Sequence, residues 1–406
     1  MKIIDQLNLS GKRVLIRVDF NVPLKEGRVA DDTRLRASLP TIRYAQGAKA
    51  KVILCSHLGR PKGERRPEFS LAPVAKRLSE LLGQEVKFAP DCIGPEVEKM
   101  IKELKEGEVL LLENLRFHKG ETKNDPEFAK ALAKLAEVYV NDAFAVSHRA
   151  HASVVGVTEY ITECAAGFCL AREIKYLSQL LTSPVKPVAA VIGGAKVSTK
   201  IGLLTNLLPK IDKLFIGGAM ANTFLKALGL EVGRSFYEEE YLEEARRVLA
   251  EAERAGVKVY LPVDVIVAES QESTAGEAVS IKEIPSDKAV YDLGPETTSY
   301  FAEALSQMGT IVLNGPMGLF ENPAFAKATV TLARRIAASN AVTIAGGGDT
   351  LRALREAGVA TAFSYLSTGG GAFLEFLEGK TLPGVAALEK KKLAGGGYEK
   401  EALDCW

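Results

Sequence analysis

Short apolar runs that stop abruptly in polar or glycine-rich clusters recur along the whole chain. In the first half, residues 13–18 (RVLIRV) lead into Asp19-Phe20-Asn21, and 51–56 (KVILCS) into His57-Leu58-Gly59-Arg60-Pro61. Residues 109–112 lead into Glu113-Asn114-Leu115-Arg116-Phe117, and 138–140 into Asn141-Asp142 and then Ser147-His148-Arg149-Ala150-His151. Helical periods lie between them; in 71–82, Val74, Leu78, Leu81 and Leu82 share one face. This rhythm predicts a parallel sheet with right-handed crossovers, whose ligands sit beyond the carboxyl ends of the strands. The polar clusters fall at those ends.

From Pro187 the same pattern continues with glycine as its payload. Runs at 188–192, 213–216, 310–313, 341–345 and 363–366 enter Gly193-Gly194-Ala195-Lys196, Gly217-Gly218, Asn314-Gly315-Pro316, Gly346-Gly347-Gly348-Asp349-Thr350 and Ser367-Thr368-Gly369-Gly370-Gly371. Helical patterns cover 239–255 and resume from Leu351. Between the halves, 165–181 reads as a helix with Ala166, Leu170, Ile174, Leu177 and Leu181 in one stripe, ended by Pro184 and Pro187. The expected architecture is α/β: two doubly wound parallel-sheet, Rossmann-like domains joined by a helix and facing each other across a cleft. Their expected spans are 1–164 and 188–389, with 165–187 as connecting helix and hinge.

Composition narrows the function classes. The 406 residues, 47% hydrophobic and 25% charged, suit a soluble globular chain of about two domains. A net charge of +1 implies no bulk attraction to nucleic acid or membrane, so charged ligands must meet local patches. Five scattered cysteines, none spaced C-x-x-C, point to reduced thiols and a cytoplasmic setting. His148 and His151 lack a third ligand at metal-binding spacing.

The chemistry of the two halves differs. Arg34, Arg60, Arg116 and Arg149 offer planar forks for phosphate and carboxylate, His57 adds a donor, and Asp19 and Asn21 can read hydroxyls or orient arginines. A small polyanion is implied. In the second half, glycines that admit close backbone approach precede helix starts carrying unpaired N–H groups, a setting for a phosphate-bearing ligand. Asp349 is placed to hold a hard cation bound to that ligand. Lys196 and Lys200, one turn apart, can reach a transferring phosphoryl group. No turn matches the P-loop or G-x-G-x-x-G patterns. Together the halves suit phosphoryl transfer from a nucleotide to a small phosphorylated acid, whose carboxylate is ionised at neutral pH and needs no base. The rivals are a non-catalytic nucleotide-binding or sensing protein on the same fold, and an oxidoreductase, which the missing fingerprint disfavours.

RVDFNVP (17–23), SHLGRP (56–61), ENLRFH (113–118), HRAHAS (148–153), GGAKV (193–197), NGPMGLFE (314–321), GGGDT (346–350) and STGGGA (367–372) closely resemble the phosphoglycerate kinase family, from about residue 10 to 390. The resemblance implies reversible phosphoryl transfer between ATP and the carboxylate of 3-phosphoglycerate, with Mg2+. It implies that Asp19, Phe20, Asn21, Arg34, His57, Leu58, Gly59, Arg60, Arg116 and Arg149 hold the phosphoglycerate. It places Lys196, Lys200, Gly217, Gly218, Asn314, Glu321, Gly347, Gly348, Asp349 and Thr350 on the nucleotide, with Asp349 on the metal. Arg34, Lys200, Gly370 and Gly371 are the implied catalytic groups. A monomer is implied, without nucleic-acid or membrane partners, its C-terminal tail from about 390 to 406 returning to the first domain. The chain departs from the family pattern at Ala145-Val146-Ser147, Val290 and Phe373, and the segment from Gly395 to Trp406 looks appended.

Overall fold

A computed structural model describes residues 1–394. The described chain divides into two compact units, the first formed by Met1–Lys175 and the chain from Thr381 on, the second by Tyr176–Lys380. The expected return of the tail at 390–406 falls mostly outside the described residues, as does the segment from Gly395 to Trp406. Within the described chain the return begins at Thr381: helix Pro383–Ala394 belongs to the first unit, and Gly384 N donates to Ser147 O over 2.9 Å.

The first unit is built on a six-stranded sheet of β1 (Arg13–Arg17), β2 (Lys51–Cys55), β3 (Val86–Phe88), β4 (Val109–Leu111), β5 (Val138–Asn141) and β6 (Glu163–Ala166). Their order is β3-β4-β2-β1-β5-β6, and every pairing is parallel. From β1 the chain moves first to one side and later to the other, so the sheet's switch point lies between β1 and β5. Side chains of β4 and β5 are buried throughout, as expected where helices cover both faces of a parallel sheet. The core gathers Val14, Ile16, Leu35, Ile42, Val52 and Val140 among others.

The second unit repeats the plan. β7 (Val188–Ile192), β8 (Lys213–Ile216), β9 (Lys258–Tyr260), β13 (Thr310–Asn314), β14 (Val342–Gly346) and β15 (Tyr365–Ser367) lie in the order β9-β8-β7-β13-β14-β15, all parallel. Its switch point lies between β7 and β13. Between β9 and β13 the chain forms a separate antiparallel sheet of β10 (Asp264–Ala268), β11 (Glu277–Ser280) and β12 (Ala289–Leu293), in the order β11-β10-β12.

The connector differs from its expected form at its start. Residues 163–166 are the edge strand β6, and the helix runs from Phe168 to Thr182. Asp142 explains why the helix starts there: its Oδ1 accepts from Cys169 N (2.8 Å) and Leu170 N (3.3 Å), satisfying first-turn donors. The two units divide within this helix, after Lys175.

Candidate active site

In the first unit the carboxyl ends of β1, β2 and β4 gather one connected group. Arg34, on the first turn of helix Thr33–Gly47, pairs with Asp19 at 2.7 Å and donates to Asn21 O at 3.1 Å. Asn21 Oδ1 accepts from Gly59 N (2.9 Å), and Gly59 O accepts from Arg116 Nη1 (2.7 Å). Phe20 and Leu58 have their side chains in the core, so only their backbones serve the site. Arg60 and Arg149 are exposed, whereas Arg34 is half-buried.

Below this layer sits a charge that the sequence pattern hid. Arg17, the last residue of β1, is fully buried; Nε donates to Ser153 Oγ (2.9 Å), which in turn donates to Glu121 Oε1 (2.6 Å). Its Nη2 lies 3.1 Å from His57 Nδ1. A guanidinium can only donate, so Nδ1 accepts and the proton of the neutral ring sits on Nε2. Burial, followed by the charges of Arg17, Arg116, Arg34 and His151, holds His57 well below the usual histidine range. His57 is therefore a neutral donor with a fixed tautomer.

The arginines repel one another. Burial, then Arg17 and Arg149, pull Arg116 down to about 10, with Glu121 working the other way and Arg60 adding to the repulsion. Arg116 is buried and its Nε has no hydrogen-bond partner. A buried cation with an orphan donor among other cations is stabilised by an anion, whose charges and lone pairs answer both deficits.

In the second unit, one cavity of about 480 Å3 is bordered by the loops after β7, β13 and β14 and by two helix starts, Gly348–Glu356 and Gly371–Leu377. Neither helix carries a side-chain N-cap, so first-turn N–H groups remain for a ligand. Gly370 makes the second turn possible with φ 52° and ψ −113°, a conformation that side chains disfavour. Lys196, Lys200, Asn314, Gly347, Gly348, Asp349, Thr350, Gly370 and Gly371 all border this cavity. Lys200 Nζ donates to Asn314 Oδ1, and Asn314 Nδ2 donates to Gly346 O over 2.7 Å. Burial lowers the pKa of Lys200, while Asp349 and Glu378 act to raise it. Thr350 Oγ1 is already engaged, accepting from Gly315 N (2.8 Å).

A second cavity, about 440 Å3, lies beside the first and shares Gly194, Ala195, Pro316 and Asp349 with it. Its walls include Ala289, Val290, Leu293 and Met317, with Glu321 exposed at the border. Gly218 lines it, whereas Gly217 packs against Met317, whose Sδ would lie 2.5 Å from an added Cβ. An added Cβ on Gly218 would meet Gly194 backbone atoms at 2.5 and 2.6 Å. The Gly217-Gly218 pair thus lets neighbouring loops lie against each other. An added Cβ on Gly348 or Gly370 meets nothing within 4 Å, so those two leave open space.

The departures from the family pattern have local partners. Phe373 is fully buried and fills the space beside Gly346, where an added Cβ would fall 2.7 Å from its ring. Val290 N donates to Ser235 Oγ at 2.8 Å, and Ser147 Oγ donates to Ala143 O at 3.0 Å. Among the described residues the compact His/Cys/Asp group, Asp91, Cys92 and His118, is paired internally and with Arg65: His118 Nε2 lies 2.7 Å from Asp91 Oδ1, and Arg65 3.3 Å from Oδ2.

A family model described as phosphoglycerate kinase matches residues 4–380. The chain belongs to the phosphoglycerate kinase family. Phosphoglycerate kinase of Desulfosudis oleivorans is 54% identical over 396 residues, covering 97% of this chain and all of the relative. That of Syntrophobacter fumaroxidans is 56% identical over 392 residues, covering 96% and 99%. The solved phosphoglycerate kinase of Coxiella burnetii superposes with a TM-score of 0.89 at 46% identity, covering 96% of this chain and 99% of that one. As a member of this family the chain is a kinase acting on a nucleotide and a small-molecule substrate.

Proposed function

We propose that the chain catalyses reversible phosphoryl transfer between MgATP and the carboxylate of 3-phosphoglycerate, giving 1,3-bisphosphoglycerate and MgADP. The observation that supports the assignment of sites is the excess positive charge around Arg116, where Arg17, Arg149 and Arg60 outweigh Glu121 and the Nε has no hydrogen-bond partner. Phosphoglycerate, with a phosphate and a carboxylate, supplies the missing anion. Arg60, Arg116 and Arg149 hold its charged ends, His57 Nε2–H donates to it, and Asp19 and Asn21 fix Arg34 toward the reacting carboxylate.

The nucleotide phosphates take the cavity between the two uncapped helix starts, and the base takes the apolar cavity beside it. A Mg2+ ion fits this arrangement: a single carboxylate, Asp349, stands where the two cavities meet, and phosphate oxygens complete such a site in nucleotide enzymes. When bound, the ion neutralises charge on the phosphate oxygens. Lys200 follows the moving phosphoryl group; Gly370 and Gly371 present backbone N–H groups to it. The acceptor is already ionised, so no general base is required. Transfer needs the two ligands brought into line and shielded from water, a task we assign to bending at the connector.

No helix among the described residues is long and apolar enough to cross a membrane. With a charge near balance and a glycolytic substrate, we assign the enzyme to the cytoplasm as a monomer without nucleic-acid partners. A coupled assay with ATP, Mg2+ and 3-phosphoglycerate tests the reading: turnover is expected, and its absence in folded protein that binds nucleotide would favour the non-catalytic rival.

A further inference from the structure

The loop that delivers Lys196 and Lys200 has no cap of its own. After Lys196 it forms a tight helical turn, Val197–Thr199, and after Lys200 the helix Ile201–Leu207. The two lysines thus stand at the two N-cap positions, and an ammonium can only donate, so neither caps its turn. Ser, Thr, Asp or Asn ordinarily stands at such a position, because a first turn leaves its N–H groups unpaired. Here those positions are given to lysines bordering the cavity of about 480 Å3, and the loop lacks local support.

The support comes from 40 residues further along the chain. Glu238 Oε2 accepts from Ser198 N over 3.0 Å, and Glu238 Oε1 accepts from Ser198 Oγ over 2.6 Å. A carboxylate that takes the backbone and the side chain of one residue fixes both its position and its direction. Glu238 stands at the start of the turn Glu239–Tyr241, yet its side chain does not cap that turn. Its own backbone is anchored, because Glu238 N donates to Thr223 Oγ1 over 3.1 Å, and Thr223 is fully buried on helix Met220–Ala227. The adjoining Asn222 Nδ2 donates to Phe236 O over 3.1 Å, so the strip 236–238 is pinned at two points. Neither Ser198 nor Glu238 borders either cavity of this unit, whereas Lys196, Thr199 and Lys200 border the first. The turn offers its lysines to the cavity and its tether to the far side.

We infer that Glu238 is a positioning residue for phosphoryl transfer, its carboxylate holding Ser198 so that Lys200 reaches the transferring group from a fixed backbone. Asn314 holds the ammonium end of Lys200, and Glu238 steadies the chain at its root. Charge stabilisation of a transition state depends on such preorganisation, because a donor that must first be placed loses part of its effect. This inference rests on the assignment of Lys200 to the transfer step.

The test follows single turnovers of MgATP and 3-phosphoglycerate by rapid quench, so product release does not enter the rate. Calorimetric titration with MgADP shows that the second unit of each variant is folded. Glu238→Ala is expected to slow transfer by roughly 10- to 100-fold, the scale of a misplaced reacting group. Its Kd for 3-phosphoglycerate should stay within about twofold, since that ligand binds in the other unit. Glu238→Gln keeps both contacts, its amide oxygen accepting from Ser198 N and its amide nitrogen donating to Ser198 Oγ. It is expected to transfer within about threefold of wild type. Added to Lys200→Ala, Glu238→Ala should slow transfer by no more than about twofold further, because the group it acts through is gone. An unchanged rate in Glu238→Ala overturns the inference. So does a full additional loss in the double variant, which a merely structural role would give. A Glu238→Gln variant as slow as Glu238→Ala overturns it as well, since charge rather than position would then be at work. Lys200→Ala alone tests the underlying reading: an unchanged transfer rate there removes Lys200 from the step, whatever Glu238 does.

Discussion

The two units share a sheet plan but offer opposite kinds of anion-attracting group. The first offers side chains: arginines from several loops converge and repel one another. The second offers backbone: two uncapped helix starts and glycine turns border its cavity of about 480 Å3. Side-chain charge is strong and selective for a compact polyanion, but it is stressed without its ligand. Backbone donors suit a ligand that must be released after every turnover and whose terminal phosphate must move.

The clearest exception in the second unit predicts the largest effect. Lys200, held by Asn314 and with its pKa lowered by burial, is a half-buried cation bordering the backbone-lined cavity, the one we propose to follow the phosphoryl group. Lys200→Ala is expected to reduce kcat by roughly 100- to 1,000-fold, the scale of losing one preorganised charge partner in the transition state. Nucleotide KM should shift far less in steady-state assays. A kcat within a few-fold of wild type would remove Lys200 from the transfer step.

A smaller effect separates charge from hydrogen bonding in the first unit. His57 is held neutral by burial and by Arg17, Arg116 and Arg34, so phosphoglycerate affinity should show no histidine step as pH falls from 8 toward 6. A fall of affinity above pH 7 that His57→Gln abolishes would show that the charged ring was binding. Stability should behave otherwise. Folded His151 is lowered to about 4 by burial and then by Arg116, Arg17 and Arg149, whereas the unfolded chain takes up that proton near 6.5. Its contribution is present above 6.5 and lost as pH falls toward 4. The melting temperature should drop over that window, and less so in His151→Gln.

Much of this contrast is legible in the sequence, because apolar runs ending in arginine-bearing or glycine-bearing clusters locate strand ends. What escaped has physical reasons. Residues 163–166 (ECAA) form an edge strand, but alanine and cysteine favour neither period, and an apolar stripe running on from Ala166 reads as continuous helix. β3 and β9 are three-residue strands, too short for alternation to register. The antiparallel sheet of β10, β11 and β12 breaks a rhythm that otherwise predicts only parallel strands. Arg17 closes the apolar run of β1, where a charge reads as the edge of the strand rather than its buried end; only its contacts with Ser153 and His57, each far away in sequence, reveal its place. Glu238 likewise sits in a run of acids that reads as solvated surface, and its hold on Ser198 is a property of packing. Phe373 and Gly346 form a pair that neither position announces alone.

The division of labour itself is tested most directly by calorimetric titration of Arg116→Met, which keeps a long apolar stem but removes the charge. Binding of 3-phosphoglycerate should weaken by about 10- to 100-fold, the cost of a lost charge-assisted bond, while MgADP binding stays within about twofold. The variant should melt no lower than wild type, because it loses a buried cation that its neighbours repel. Equal weakening of both ligands, or undiminished phosphoglycerate binding, would contradict the account.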